Sequence, residues 1–119
     1  MNGKMIAYGA KSLPEGGYFS LPKLTVDGAI LIGDSAGFMN GQRLKGIHLA
    51  MKSGMISGET ILHALKQNDF SDSSLSGFQT RIDNSWVKEE LYKVRNFHQA
   101  FDQGLIPGMI NAGIGLITG

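Results

Sequence analysis

The order of apolar and polar residues divides the chain into strand-like runs followed by two helical stretches. Residues 29–32 form a short apolar run between two glycines, which is typical of a strand buried on both faces of a parallel sheet. An Asp27-Gly28 pair, a strong turn signal, joins this run to the extended residues 24–26. Residues 4–21 have the alternation and the turn residues of a hairpin, and Pro22 ends it.

The first helical stretch is predicted at residues 44–67. Its apolar side chains recur at three- and four-residue steps: Leu44, Ile47, Met51, Met55, Leu62 and Leu65. Gly54 and Gly58 lie beside that face, and glycine inside a helix costs up to about 1 kcal/mol relative to alanine. We expect a sheet or a cofactor to approach the helix closely at this pair.

The second helical stretch is predicted at residues 75–101, with a break near residues 84–85. Its apolar stripe comprises Leu75, Phe78, Ile82, Trp86, Val87, Leu91, Val94, Phe97 and Phe101. The charged residues between them, with His98, are predicted to form a solvated face. The serine-rich residues 68–76 are predicted to be a linker or surface loop.

The uncharged segment 104–119 leaves three interpretations open. It is apolar and rich in glycine, but shorter than the roughly 20 residues of a spanning helix. A buried helix covering the sheet, a surface that dips into a membrane interface and a frayed end all agree with the pattern.

Composition excludes several classes of protein. With 119 residues the chain is at most one small domain. Its net charge of +1 and the lack of a basic run argue against nucleic acid as a partner. The absence of cysteine excludes disulfides and a Cys-ligated iron–sulfur cluster on this chain. No signal-peptide core is present at the N-terminus.

Gly33 and Asp34 follow the central apolar run directly, at the point where open α/β sheets bind ligands. An ionised carboxylate only accepts hydrogen bonds, so Asp34 suits the hydroxyl groups of a ribose or ribityl chain. The small-residue loop then leads to a helix N-terminus, where unpaired N–H groups favour an anionic or carbonyl-rich ligand. An Asp that merely ends a strand in a turn is the alternative.

A longer pattern surrounds this pair. The stretches LIGDSAGFMN and KGIHLAMKSGMISGE, with YGAKSLPEGGYFSLPKL before them and SWVKEELYKVRN after them, resemble the second flavin-contacting motif of glutathione-reductase-type oxidoreductases. More narrowly, the chain resembles the electron transfer flavoprotein-ubiquinone oxidoreductase family and its nitrogen-fixation relatives. The resemblance covers nearly the whole chain, and the four stretches occur in the same order as in the family.

This resemblance implies an α/β fold, here an α+β fragment of a glutathione-reductase-type FAD domain. Residues 1–22 would end the quinone-binding domain, 23–67 would be the second FAD-contacting strand, loop and helix, and 68–119 a C-terminal helical region. A complete flavoenzyme of this type also needs a Gly-x-Gly-x-x-Gly turn after a strand, which the chain lacks. We therefore expect a segment of a larger protein.

The resemblance also implies a site. Asp34 would contact the ribityl or adjacent hydroxyls of FAD, and Gly33 and Ser35 would let the backbone come close. The backbone N–H groups of Lys45, Gly46 and Ile47 would face the N1/O2 side of the flavin, where a helix dipole favours negative charge.

Two further residues and several partners complete this expectation. Arg43 and Lys45 would either add positive charge near the flavin or be exposed to solvent. The complete enzyme would pass electrons from electron transfer flavoprotein through FAD and a 4Fe-4S cluster, held on another domain, to ubiquinone. It would be peripheral to the bacterial cytoplasmic or mitochondrial inner membrane, which segment 104–119 would touch.

The chain has no predicted catalytic side chain or metal site of its own. None of its three histidines pairs with another at helical spacing, and Ser35 and Ser53 lack a local His–Asp arrangement. Two alternatives remain: a segment of a geranylgeranyl-reductase-like flavoenzyme, and a non-catalytic remnant or interaction module. We expect the isolated chain to be marginally stable and unable to hold FAD, because most FAD contacts would lie elsewhere.

Overall fold

The computed structural model describes residues 3–10, 12–97, 99–102 and 104–118, with the backbone alone at 116–118. In this part of the chain five α-helices follow a two-stranded sheet: β1 (Thr25–Val26), β2 (Ala29–Ile30), α1 (Ile47–Gln67), α2 (Asp72–Leu75), α3 (Gly77–Asp83), α4 (Trp86–Lys93) and α5 (Leu105–Thr118). Short 3-10 helices occur at Tyr18–Ser20, Gly33–Ala36 and Gln99–Phe101. The described residues form a small, mixed but mostly helical structure, which does not by itself show a glutathione-reductase-type fold.

The sheet is an antiparallel hairpin rather than a parallel layer. Thr25 pairs with Ile30 and Val26 with Ala29, so the predicted Asp27-Gly28 turn is confirmed, with Gly28 at φ +75°. The prediction of a central strand over 29–32, buried on both faces, is wrong. The strand ends at Ile30, and no described strand pairs with its other edge, so the apolar residues that follow stay partly exposed.

The predicted hairpin over residues 4–21 is also wrong. The described residues of 3–17 form no strand, and nearly all of them are exposed. Tyr18–Ser20 is a 3-10 helix instead of a strand. An isolated two-stranded hairpin is marginal without a surface to pack on, and only the end of this segment finds one: the Tyr18 ring lies edge-on to Tyr92, with centroids 5.3 Å apart.

Helix α1 begins three residues later than predicted and presents a different face to the core. Leu44 has φ +52°, a left-handed conformation that cannot belong to a right-handed helix. The predicted C-terminal end at Gln67 is confirmed, with Asn68 capping the helix at φ +51°. Six residues of α1 are buried: Leu49, Ser53, Ile56, Ser57, Thr60 and Ala64. All of them except Leu49 and Ile56 are small or hydroxylated. The predicted apolar face is exposed instead.

The second predicted helix, at residues 75–101, is instead two shorter helices, α3 and α4, followed by turns and the 3-10 helix Gln99–Phe101. Of the two long helices expected, only α1 is found among the described residues, and α2 falls within the predicted loop at 68–76. The predicted break at residues 84–85 is confirmed, because Ser85 caps α4 by accepting a hydrogen bond from the Val87 N–H group at 3.3 Å. Ser71 caps α2 in the same way, through the Ser74 N–H group. His98 lies outside the described residues.

One hydrophobic core joins the hairpin, the Gly33–Ala36 turn and helices α1, α3 and α4. Its members are Leu24, Ala36, Phe38, Leu49, Ile56, Phe78, Ile82, Val87 and Leu91. Five residues of the predicted second stripe are buried, namely Leu75, Phe78, Ile82, Val87 and Leu91. The inward face of this region was therefore predicted correctly, although its helix boundaries were not.

Asp72 links the hairpin to the first residues of α2. Its carboxylate accepts hydrogen bonds from Thr25 Oγ1 at 2.7 Å and Lys23 Nζ at 2.6 Å. Its own N–H group donates to Asp27 Oδ1 at 2.7 Å. The hydrogen bonds from Lys23, foremost, and from Thr25 lower the pKa of the Asp72 carboxyl below its usual value. We call this set of contacts the Asp72 clasp.

The uncharged C-terminal segment forms α5. Within the described residues, α5 packs mainly on Gln99–Phe101, and the Phe101 ring lies directly over Gly108, where it leaves no room for a Cβ. No described helix is long and apolar enough to cross a membrane. The radius of gyration is 17.9 Å, against about 13.5 Å for a compact domain of this length, so the fragment is extended.

Candidate functional site

The Gly33-Asp34 pair lies in a 3-10 turn rather than at the end of a strand. Gly33–Ala36 begins three residues after β2 ends, and Asp34 is half-buried in its first turn. The expectation that Asp34 would follow a central strand directly is therefore not met. Gly33 has φ +65°, and a Cβ built on it would lie 3.5 Å from Cβ of Ala50. This turn thus packs against the first turns of α1.

Ser53 fixes the turn to the helix. Its Oγ accepts a hydrogen bond from the Gly33 N–H group at 3.0 Å and donates to the Ala50 carbonyl at 2.8 Å. Ser53 is fully buried, so the Gly33 N–H group depends on this one oxygen for its partner. Gly33 and Ser53 are 20 positions apart, so no local spacing could have indicated this contact.

Residues 40–46 form a tight loop that leads into α1. The Asn40 N–H group donates to the Lys45 carbonyl at 2.9 Å, and the Lys45 N–H group returns a bond to the Asn40 carbonyl at 3.3 Å. The Lys45 donor is therefore already used inside the loop. No described residue accepts a hydrogen bond from the N–H group of Gly46 or Ile47, as expected at a helix N-terminus.

The environment of Gly46 explains why a glycine stands there. A Cβ on Gly46 would lie 3.3 Å from Cγ of Met39 and 3.4 Å from the carbonyl oxygen of Phe38. The loop therefore closes over the backbone just before α1 begins. The side chains of Ser35, Arg43 and Lys45 are exposed. For the two cations this agrees with the alternative that they are exposed to solvent.

A polar cluster behind the loop was missed at the sequence level. The Glu90 carboxylate on α4 accepts a hydrogen bond from Asn40 Nδ2 at 2.8 Å and lies 2.9 Å from His48 Nε2. The His48 ring stacks on Trp86 with centroids 5.8 Å apart and planes 2° from parallel. Residues 40 and 90 are far apart along the chain, so no local spacing could have indicated this contact.

The charge state of Glu90 follows from these neighbours. Burial raises the pKa of its carboxyl, but hydrogen bonds from Asn40 and His48 and attraction to His48 and Arg43 outweigh that effect and leave the pKa below its usual value. Glu90 is therefore an anion at neutral pH. Among the described residues, no group of three or more His, Asp or Glu side chains is arranged to hold a metal ion.

Two open grooves have volumes of about 460 and 380 Å³. The first lies mainly between residues 93–100 and α5, and the second between residues 40–43 and α4. The predicted flavin-contacting residues line neither of them: Gly33, Asp34, Ser35, Lys45, Gly46 and Ile47. The structure brings Gly33 together with the start of α1. Of the predicted site residues Gly33 is buried, Asp34 and Gly46 are half-buried, and the other three are exposed.

Comparison with curated proteins identifies the relatives of the chain. It is 44% identical over 118 aligned positions to the human mitochondrial electron transfer flavoprotein-ubiquinone oxidoreductase, which covers 94% of the chain and 19% of that protein. The chain is homologous to one segment of the electron transfer flavoprotein-ubiquinone oxidoreductases. This confirms the resemblance seen in the sequence. No family model matches the chain.

Bacterial and plant oxidoreductases of the same name give the same result. The probable electron transfer flavoprotein-ubiquinone oxidoreductase of Acinetobacter baylyi is 43% identical over 114 positions, covering 82% of the chain and 20% of that protein. The mitochondrial protein of Oryza sativa is 42% identical over 107 positions, covering 90% and 18%. The chain thus spans about a fifth of the length of these relatives, all named as oxidoreductases.

Proposed function

We propose that the chain is the second flavin-contacting segment of an FAD-dependent oxidoreductase that passes electrons from reduced electron transfer flavoprotein to ubiquinone. The observation that carries the proposal is its homology, at 41–44% identity, to proteins of that name across most of its length. The turn holding Asp34 packs against the same helix whose N-terminus carries the Gly46 and Ile47 donors. This geometry supports the proposed site.

The residues present fit part of a flavin site. Asp34 supplies a carboxylate for ribityl or ribose hydroxyls. The N–H groups of Gly46 and Ile47, without partners among the described residues, would bind the carbonyl-rich pyrimidine edge of the flavin ring, aided by the dipole of α1. Since the Lys45 N–H group is engaged by Asn40, the proposal rests on the other two donors.

The redox chemistry itself would come from FAD, which exchanges electrons with the donor and the acceptor. The chain would bind and orient the cofactor: Ser53 holds the Gly33 turn, and the loop of residues 40–46 places the two N–H donors. A 4Fe-4S cluster, the ubiquinone site and the adenine contacts would belong to other parts of the enzyme. The chain has no cysteine to hold such a cluster.

The proposed partners are those in the names of the relatives, electron transfer flavoprotein and ubiquinone, and the proposed place is a mitochondrial or bacterial membrane surface. The prediction that the segment now seen as α5 meets that surface stays a prediction. Its exposed apolar residues are Leu105, Ile106, Met109, Ile110 and Ile114, and nothing in the structure shows what they contact.

Replacement of Asp34 by alanine tests the proposed site. In the full-length enzyme, Asp34→Ala should weaken FAD binding by about 1–3 kcal/mol, because a charged acceptor is withdrawn from its hydroxyl partners. Titration of the FAD-free protein with FAD, followed by flavin fluorescence, measures this change. Asp83→Ala, which removes an exposed carboxylate at the end of α3, is the control. Unchanged FAD affinity in Asp34→Ala would contradict the assignment.

A further inference from the structure

The Glu90 carboxylate contacts both ends of the loop that leads into α1. Asn40 begins the loop and His48 lies just after it, on the first turn of the helix. The two side chains converge on Glu90, with 2.8 Å from Asn40 Nδ2 and 2.9 Å from His48 Nε2. Glu90 thereby holds the two ends of the loop together from the side of α4.

We propose that Glu90 is a positioning residue that holds the loop so that the N–H groups of Gly46 and Ile47 are aligned to receive the flavin. This inference rests on the proposed function, because it concerns the same site. Both donors lie between the two residues that Glu90 grips. A shift of either anchor would therefore move the donors relative to the turn that carries Asp34.

The Asn40 anchor depends on Glu90 because it is buried. Only 1% of Asn40 is exposed, and its Oδ1 accepts a hydrogen bond from the Arg43 N–H group at 3.1 Å. Its amide NH₂ therefore faces α4, where the Glu90 carboxylate accepts from it. Without that carboxylate a buried donor loses its charged acceptor, a change that costs more than the loss of an exposed contact.

The His48 anchor has a second support. Its ring stacks on Trp86, which begins α4 on the same side as Glu90. Because the His48 ring contacts both Trp86 and Glu90 of α4, the first turn of α1 cannot rotate without breaking one of the two contacts. Arg43, on the loop, adds attraction to the Glu90 carboxylate and so favours the closed arrangement.

Glu89 offers a matched control on the same helix. It lies one residue before Glu90, carries the same charge, and pairs with Lys93 of its own helix at 2.8 Å. Glu89→Gln changes the net charge of the protein as Glu90→Gln does, but it leaves the contacts to Asn40 and His48 in place. A difference between the two variants therefore reports the grip on the loop rather than the charge.

The experiment uses the full-length enzyme in four forms: parent, Glu90→Gln, Glu89→Gln and His48→Gln. For each, FAD is titrated into the FAD-free protein, the absorption spectrum of the bound flavin is recorded, and the rate of tryptic cleavage after Arg43 and Lys45 is measured by mass spectrometry. We expect Glu90→Gln to bind FAD about tenfold more weakly, to shift the flavin spectrum and to be cleaved faster in the loop. Glu89→Gln should match the parent.

Each outcome decides the matter. Equal FAD affinity in Glu90→Gln and Glu89→Gln overturns the inference, as does weaker binding with unchanged loop cleavage. If Glu90→Gln does not fold, the decision passes to His48→Gln, which removes the second anchor from a partly exposed site and should act in the same direction. A loss of FAD in Asp34→Ala together with parent-like behaviour of Glu90→Gln would leave the proposed function standing and sink this inference alone.

Discussion

Helix α1 and the α3–α4 region share one amphipathic period but use it in opposite ways. In α3 and α4 the large apolar residues Phe78, Ile82, Val87 and Leu91 are almost completely buried. In α1 the large residues at positions 47, 51, 55, 62 and 65 are each more than half exposed, and the buried side is mostly serine, threonine and alanine.

The difference shows that periodicity defines a face without saying what covers it. The small side of α1 lets the Gly33 turn approach closely, and serine and threonine satisfy their hydroxyls on their own helix, as Thr60 does with the Ile56 carbonyl at 3.0 Å. The large side is left as an exposed apolar stripe. Such patches usually mark an interface, and we expect other parts of the full-length protein to cover it.

The largest effect is expected in the buried region. Phe78→Ala should lower the free energy of unfolding by about 3–5 kcal/mol, because it removes a fully buried ring and leaves a cavity. Denaturant unfolding of the full-length protein, followed for the transition that includes this segment, measures the loss. Phe70→Ala, at a ring exposed to 41%, should cost much less, and an equal cost would show that the core is not where the structure places it.

The exposed stripe is tested by a charge. Met55→Lys should leave the stability of the isolated 119-residue chain nearly unchanged, but it should destabilise the full-length protein by about 2–4 kcal/mol, because it would bury an unpaired charge. Thermal unfolding of both forms provides the comparison. Gln67→Lys, on an exposed position of the same helix, is the control. An equal, small effect in both forms would mean that nothing covers the stripe.

The small side of α1 is tested with two serines. Ser53→Ala should cost about 1–3 kcal/mol of unfolding free energy, because the buried Gly33 N–H group loses its acceptor. Ser57→Ala, equally inward, removes only a bond to the Gly54 carbonyl of its own helix and should cost less than about 1 kcal/mol. Denaturant midpoints of the two variants decide; similar midpoints would refute the proposed anchoring role of Ser53.

Local signals in the sequence predicted what depends on neighbouring residues. The Asp27-Gly28 turn, the end of α1 at Gln67 and the break before Ser85 each follow from side chains within a few positions, and each is confirmed. The inward stripe of α3 and α4 was also predicted, because a complete partner surface lies within the chain. Strand pairing failed, because a strand needs a distant neighbour that periodicity does not reveal.

The candidate site divides in the same way. The comparison with curated proteins confirms the resemblance. The order of turn and helix was predicted, but Gly33 lies in a 3-10 turn beyond the strand end, and α1 begins at Ile47 rather than Leu44. The left-handed Leu44, which delays the helix, has no signal in its residue type. The Ser53 and Glu90 contacts bridge residues 20 and 50 positions apart in the chain, a distance over which spacing carries no information.

The Asp72 clasp has a consequence for the order of folding. Its bond to Thr25 spans 47 positions, and closing a loop of that size carries an entropic cost that rises only slowly with length. All of α1 lies within that loop, and helical turns form much faster than distant ends meet. We therefore expect the clasp to close late, after α1 has formed. As a late contact, it should lower the unfolding rate more than it raises the folding rate.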